Sequence, residues 1–248
     1  MIVVEDIHKR YGDQIVLDGV NFRVEAGTIS SIIGRSGAGK SVLLRQMMGL
    51  EAPDSGSVKI NGEDICGMRS RDLNKIRKSI GVLFQEGALF DSLSVVENVA
   101  FPLREHTKLT DSGIRDVVHR KLGEVAMKDH GDKFPAELSG GMRKRVGLAR
   151  ALALDPNIVF FDEPTVGLDP IATAAIYRLI SKTHLERAVT YVLVSHDIKG
   201  LMEVSDKIFM LLDGKIRARG TPEEIAQSSE ATVHQFLTGS PDGPIKID

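Results

Sequence analysis

The sequence is short of the features that mark several functional classes. It has one cysteine, Cys66, in 248 residues. A single thiol excludes an intrachain disulfide and fits a reducing compartment, with the cytosol as the default. Neither sign of charge dominates. The formal net charge is -2, so no basic surface announces a nucleic-acid partner, and none is expected. Long apolar runs are missing as well. Stretches such as 158–161 and 208–212 fall far below the roughly 18 residues that span a bilayer, so any membrane role must work through a partner. The amino end has no basic segment followed by an apolar stretch, because Glu5, Asp6, His8, Lys9 and Arg10 arrive almost at once. The chain is therefore expected to stay inside the cell. No internal repeat and no low-complexity segment is visible. With 42% hydrophobic and 27% charged residues, the composition is that of a globular protein able to bury a core.

Order along the chain predicts an α/β fold. Short β-branched runs at 2–4, 15–17, 20–24 and 28–33 read as strands, and 57–60 runs into Asn61-Gly62, a tight-turn pair that implies antiparallel pairing near the amino end. A further strand is 80–84. From 93 to 154 apolar residues recur at helical spacing, with Ser94 and Glu97 forming a capping box. Strand 158–161, helix 171–185, strand 191–194 and a helix near 199–204 then alternate, which implies a parallel sheet. Asp213-Gly214 joins a β-hairpin of 207–212 and 215–219. Thr221, Pro222 and Glu224 suit the N-cap, first and third positions of a short helix. Residues 239–248 hold Pro241, Gly243 and Pro244 in a polar setting and are expected to form an extended tail.

Gly34-Arg35-Ser36-Gly37-Ala38-Gly39-Lys40-Ser41 satisfies G-x-x-x-x-G-K-[ST], with an apolar strand before it and a helical run after it. Glycine is needed because the backbone must turn sharply and aim several N–H groups at phosphate oxygens at a helix N-terminus. Lys40 is placed to reach the β- and γ-phosphates, and the Ser41 hydroxyl is a candidate Mg²⁺ ligand. A plain glycine-rich turn is the alternative, and the strand and helix on either side argue against it.

Four further features gain meaning beside that loop. The run 158–161 delivers Asp162 and Glu163 to the carboxyl edge of a parallel sheet, where such sheets bind ligands. Asp162 is a candidate metal ligand, and Glu163 is placed to polarise an attacking water. Gln85, after strand 80–84, is a candidate for a metal-bound water or simply faces solvent. His196, after strand 191–194, is a candidate γ-phosphate contact or a structural histidine. Ser139, Gly140 and Gly141 precede the helical run 142–154 and offer a second anion-binding terminus or an ordinary capped helix. The neighbouring Arg143, Lys144 and Arg145 add local positive charge there, or form the solvated helix face that such a run commonly is.

In order and spacing, these residues resemble the nucleotide-binding subunit of ABC transporters over residues 1–237. Residues 34–41 match Walker A, Gln85 the Q-loop, 138–141 the signature, 158–163 Walker B, Gly167-Leu168-Asp169 the D-loop, and His196 the switch histidine. The resemblance implies a P-loop NTPase core with an amino-terminal antiparallel β subdomain and a helical subdomain at about 93–154. It also implies ATP and Mg²⁺ as ligands and a stacking role for Tyr11 on adenine. Two copies are expected head to tail, each ATP lying between one copy's Walker A and the other's Ser139, Gly140 and Gly141, with Asp169 close by. Met142 departs from the glutamine that usually follows the signature, and it removes an amide contact.

A closer resemblance is to the ATPase subunits of Mla-type phospholipid transport systems, including chloroplast and actinobacterial relatives. It rests on Gly87-Ala88-Leu89-Phe90-Asp91-Ser92-Leu93-Ser94-Val95, on residues 138–145 with methionine after the glycines, and on Gln235-Phe236-Leu237 followed by Pro241-Asp242-Gly243-Pro244. The implied setting is the cytoplasmic face of the inner membrane. The implied partners are a permease, an MCE-type substrate-binding protein and a STAS-domain protein, and the implied task is phospholipid traffic between inner and outer membranes. Phe84, Leu89, Phe90, Leu93 and Phe101 either line a groove for a permease helix or fill the helical subdomain. An importer subunit for a small polar solute and a soluble ABC ATPase outside transport remain the alternatives.

Overall fold

The computed structural model describes residues 1–246, so the last two residues of the expected tail lie outside the described residues. Two compact units make up the chain: residues 1–68 with 192 onward, and residues 69–191.

The first unit opens with strands β1 (Ile2–Tyr11) and β2 (Gln14–Val24), longer than the sequence pattern suggested because bulges interrupt their alternation. β3 (Ile29–Ile33) leads into α1 (Lys40–Met47), and β4 (Ser55–Ile60) turns through Asn61-Gly62 into β5 (Glu63–Asp64). Both turn residues have positive φ, 51° and 90°, the geometry that an Asn-Gly hairpin supplies at low cost. These strands form an antiparallel sheet in the order β2-β1-β4-β5.

The second unit holds α2 (Ser70–Arg77), β6 (Ile80–Leu83), α3 (Val95–His106), α4 (Asp111–Glu124), α5 (Gly140–Ala151), β7 (Ile158–Asp162) and α6 (Pro170–Arg187). β6 and β7 run parallel, with Ile80 opposite Ile158 and Leu83 opposite Phe161. α3 starts at the expected capping box: Glu97 N–H donates to Ser94 Oγ at 3.3 Å, and Ser94 N–H donates to Glu97 Oε2 at 3.1 Å. The fully buried Asn98 amide donates to the carbonyls of Phe90, Leu93 and Ser94 and accepts from Phe90 N–H, which fixes the loop after β6 onto α3.

Strand β8 (Thr190–Val194) carries the chain back to the first unit, which continues with α7 (Ile198–Val204), β9 (Lys207–Leu212), β10 (Lys215–Gly220), α8 (Pro222–Ala226) and α9 (Ala231–Thr238). β9 pairs parallel with β3 and antiparallel with β10. Asp18 N–H donates to Gly214 O at 2.9 Å, and Phe22 packs on Phe209 with centroids 4.8 Å apart, so the antiparallel sheet is joined to β9 through buried contacts. Residues 239–246 carry neither helix nor strand, and they turn back onto α9 instead of running outward.

Candidate functional site

Strand β3 ends at Ile33, and the chain enters a turn that only glycine tolerates. Gly34 has φ 157°, and a Cβ there would lie 2.2 Å from the Leu211 carbonyl oxygen. Gly39 has φ 94°, and its Cβ would meet Val16 and Leu17 at 3.0 Å. The loop of Gly34, Arg35, Ser36, Gly37, Ala38 and Gly39 thus delivers bare backbone to the N-terminus of α1, where N–H groups and the helix dipole favour an anion. Lys40 is nearly buried, and its Nζ donates to the carbonyls of Gly34 and Arg35 at 2.8 Å each, so the loop curls around its own lysine. Ser41 follows in the first turn of α1.

Tyr11, the last residue of β1, is half exposed. Its hydroxyl donates to Glu51, which also receives Arg45 at 3.1 Å. That hydrogen bond holds the phenol above its ordinary pKa and anchors the ring by its tip, and the Lys9 ammonium lies over the ring, 5.4 Å from its centroid. His196 lies exposed in the turn between β8 and α7. Next to it, Ser195 is fully buried and accepts Asp197 N–H at 3.1 Å, and Asp197 caps α7 by accepting Gly200 N–H at 3.2 Å. The first unit therefore holds Tyr11, residues 34–41 and His196.

The second unit gathers the remainder. Asp162 ends β7 and Glu163 follows it with φ 49°, a left-handed conformation that costs a non-glycine residue about 1 kcal/mol. Ser139 caps α5 by accepting Met142 N–H at 3.3 Å, and Asp169 caps α6 by accepting the N–H groups of Ile171 and Ala172 at 2.9 and 3.0 Å. A Cβ on Gly140 would stand 3.2 Å from the Leu168 side chain, and one on Gly141 3.8 Å from Ala172. Gly140 thus lets the start of α5 approach Leu168 closely. Gln85 is exposed in the turn after β6, which Gly87 N–H closes by donating to Phe84 O at 2.8 Å.

Lys144 does not lie on the solvated face that a basic run commonly forms. It is 3% exposed, and its ammonium donates to Glu163 O at 3.3 Å. Burial pushes the ammonium below its ordinary pKa, while Glu86, Glu163 and Asp162 pull it back toward the charged form. Arg143 and Arg145 also turn inward, onto the carbonyls of Leu138 at 2.7 Å and Val125 at 3.5 Å. A basic run after two glycines carries no signal separating a solvated face from an inward one. The acids that call Lys144 inward lie far away in sequence.

A second feature of this unit is a groove of about 340 Å³ lined by Phe84, Ala88, Phe90, Phe101, Pro102 and Arg150. Phe84, Phe90 and Phe101 are 37%, 44% and 40% exposed, and the rings of Phe90 and Phe101 pack 4.8 Å apart. The Arg150 guanidinium donates to the carbonyls of Gly87 and Ala88 at 2.8 Å and lies 6.0 Å from the Phe90 centroid, bracing the floor. Of the five residues considered for a groove, Leu89 and Leu93 are not among its lining.

Known proteins resemble this chain over most of its length. The sequence profile described as ABC transporter matches residues 17–166. The chain is 42% identical over 247 residues to the intermembrane phospholipid transport system ATP-binding protein MlaF of Haemophilus influenzae, covering 100% of this chain and 94% of that protein. It is 40% identical over 245 residues to MlaF of Escherichia coli K12, covering 99% of this chain and 91% of that protein. It is also 44% identical over 244 residues to the probable ribonucleotide transport ATP-binding protein mkl of Mycobacterium tuberculosis, covering 98% of this chain and 68% of that protein. Among solved structures, the ATP-binding cassette MJ0796, as a dimer in a post-hydrolysis state bound to ADP and Pi, superposes with a TM-score of 0.82 at 31% identity, covering 90% of this chain and 99% of that one. The cassette cbiO1 of Clostridium perfringens gives a TM-score of 0.84 at 31% identity, covering 95% and 94%. A profile spanning more than half the sequence, relatives aligned from end to end and cassette structures of the same fold agree that this ATP-hydrolysing chain belongs to the ABC transporter family.

Proposed function

We propose that the chain energises a membrane permease that moves phospholipid between inner and outer membranes, working as a head-to-tail pair of identical subunits. The observation that carries the lipid assignment is the end-to-end identity with two phospholipid transport ATPases, which runs through the carboxyl-terminal residues that lie beyond the ATP motifs. Residues 1–237 act as one ABC ATPase domain, with the helical subdomain at about 93–154. The expected site is the cytoplasmic face of the inner membrane, reached through the permease, since no described helix is long and apolar enough to cross a membrane. An MCE-type substrate-binding protein and a STAS-domain protein complete the proposed complex.

Each site residue has a stated role. Gly34, Arg35, Ser36, Gly37, Ala38 and Gly39 offer N–H groups to the phosphates, and Lys40 exchanges its two carbonyl partners for phosphate oxygens. Tyr11 stacks on the base. Ser139, Gly140 and Gly141 serve the nucleotide held by the second copy, with Asp169 beside them. Glu163 takes a proton from the attacking water, and His196 contacts the γ-phosphate. Among the described residues no cluster of three or more His, Cys, Asp or Glu side chains gathers to hold a metal. By their chemistry the Ser41 hydroxyl, the Gln85 amide oxygen and the Asp162 carboxylate are all oxygen donors, with a single carboxylate among them. That suits Mg²⁺, which takes part of its shell from phosphates and water and supplies charge neutralisation there. The groove of Phe84, Phe90 and Phe101 receives a cytoplasmic helix of the permease.

The mycobacterial relative, a probable ribonucleotide transport ATP-binding protein, favours a second reading, ribonucleotide transport. One experiment separates the two. The chain is recovered from detergent-solubilised membranes with whatever copurifies, and the complex is reconstituted in vesicles with labelled phospholipid or labelled ribonucleotide. ATP-dependent lipid transfer supports the proposal. Ribonucleotide movement without lipid transfer overturns it, as does recovery only with ribosomes or DNA.

A further inference from the structure

Two stretches that the sequence showed as separate signatures, Gln235-Phe236-Leu237 and Pro241-Asp242-Gly243-Pro244, form one device. Gln235 in α9 is 6% exposed, so its amide needs partners inside the protein. It finds them in the segment after its own helix. Nε2 donates to Ser240 O at 3.2 Å and Ile245 O at 3.0 Å, and Oε1 accepts Ile245 N–H at 2.7 Å. Gly239 lets the chain leave α9 with φ 66°, and Gly243 turns it back with φ 156°. A Cβ on Gly243 would stand 2.4 Å from the Gln235 amide, so that position accepts only glycine while the clamp is closed. Ser240 tightens the loop, accepting Asp242 N–H at 3.2 Å.

The clamp sets where the next residue goes. One residue past Ile245, the carbonyl of Lys246 accepts Arg35 Nη1 at 2.9 Å. Arg35 is the second residue of the phosphate loop, and its own carbonyl already accepts Lys40 Nζ at 2.8 Å. Main chain and side chain of the same loop residue are thus gripped from two sides. Between loop and tail lies a cavity of about 390 Å³, bordered by Arg35, Asp213, Arg217, Glu230, Pro244 and Lys246.

We propose that Gln235 is a positioning residue for ATP binding, which closes the carboxyl-terminal segment into a strap that holds Arg35 and so pre-forms the phosphate loop. A loop held in its binding shape loses less freedom when phosphate arrives, so the strap raises ATP affinity and leaves the chemical step alone. By linkage, ATP must tighten the strap by the same factor. The inference stands on ATP binding alone and does not depend on the cargo.

The test uses the full chain. Gln235→Leu keeps the buried volume and removes the amide, and Gly243→Ala forces the strap off while leaving α9 intact. Both are expected to weaken binding of a fluorescent ATP analogue about fivefold, the scale of one ordinary net hydrogen bond. The kcat should stay within about twofold. In an Arg35→Ala background neither substitution should weaken binding further, because the link is already cut. Hydrogen exchange at the Ile245 amide should slow by a similar factor when a non-hydrolysable ATP analogue with Mg²⁺ is added to the wild type. Unchanged affinity in Gly243→Ala would overturn the proposal. So would equal losses with and without Arg35, or exchange at Ile245 that ignores nucleotide.

Discussion

The ammonium of Lys144, in the second turn of α5, donates to the main-chain oxygen of Glu163 at 3.3 Å, so the helix that begins with the signature glycines grips the residue proposed as base. Glu163 sits at φ 49°, a conformation that needs outside support, and this contact is part of it. Lys144→Met preserves length and apolar bulk but removes the donor. The kcat for ATP should fall about tenfold or more, the scale of a hydrogen bond to a charged group, with ATP affinity unchanged. Thermal stability should change little, because relief of a desolvated ammonium offsets the donor lost by the Glu163 carbonyl. Steady-state kinetics beside thermal unfolding decide it; a fall in stability with normal kcat would reduce Lys144 to a packing residue.

Replacing the carboxylate itself gives a different pattern. Glu163→Gln is isosteric and keeps the backbone geometry that Lys144 supports, yet it cannot take a proton. Turnover should drop by about two to four orders of magnitude, with nucleotide binding intact and the ATP-bound pair long-lived. Phosphate release and size-exclusion chromatography with Mg-ATP measure both halves of that expectation. Normal hydrolysis in this variant would assign the base elsewhere.

Much of this was legible in the sequence, for reasons visible in particular residues. Gly34 and Gly39 stand where a Cβ would collide, and Ser94 with Glu97 form the capping box that their spacing announces. Such local rules survive any tertiary context. What escaped is what depends on distant partners. α2 offers only Leu73 and Ile76 as apolar residues among eight, both half-buried, and two positions are too few to read as a helix. α9 buries Val233 and, in place of a second apolar residue, Gln235, whose partners lie beyond the helix. Lys144 points inward because of acids brought to it by β7 and the loop after β6. The tail looked extended because prolines and polar residues carry no sign of a clamp held by one buried amide.

Asp155 ties the second unit together and should make it acid-sensitive. It accepts the fully buried Lys121 and Arg187, and Arg187 also reaches Glu124. Burial pushes the Asp155 carboxyl up, but hydrogen bonds from Lys121 and Arg187 outweigh it and hold the group below 3.8. The unfolded chain therefore binds this proton first as pH falls. The group's contribution to stability is complete above its unfolded value and is lost as pH drops through the folded one. Asp155→Asn keeps the shape and tolerates the local φ of 48°. Chemical unfolding should show the wild type more stable than the variant near neutrality, with the gap closing as the pH falls below the ordinary carboxylate range. A gap independent of pH would mean that Asp155 acts by shape and not by charge.

The groove separates assembly from catalysis, because its aromatic residues are surface groups held by a rigid floor. Asn98 fixes the loop carrying Phe90, and Arg150 ties Gly87 and Ala88 from beneath, so removing one exposed ring leaves the scaffold standing. Phe101→Ser deletes the partner of Phe90 and costs about 1 kcal/mol of ring packing, too little to unfold a domain. ATP hydrolysis by the isolated chain should persist within about twofold, since no residue assigned to the nucleotide is touched. Recovery of the chain with the permease from solubilised membranes should instead fall several-fold, because an aromatic anchor in an apolar pocket is where such interfaces concentrate their energy. Copurification at the wild-type level would move the permease contact off this groove, while a parallel loss of hydrolysis would show that the loop after β6 transmits the change to Gln85.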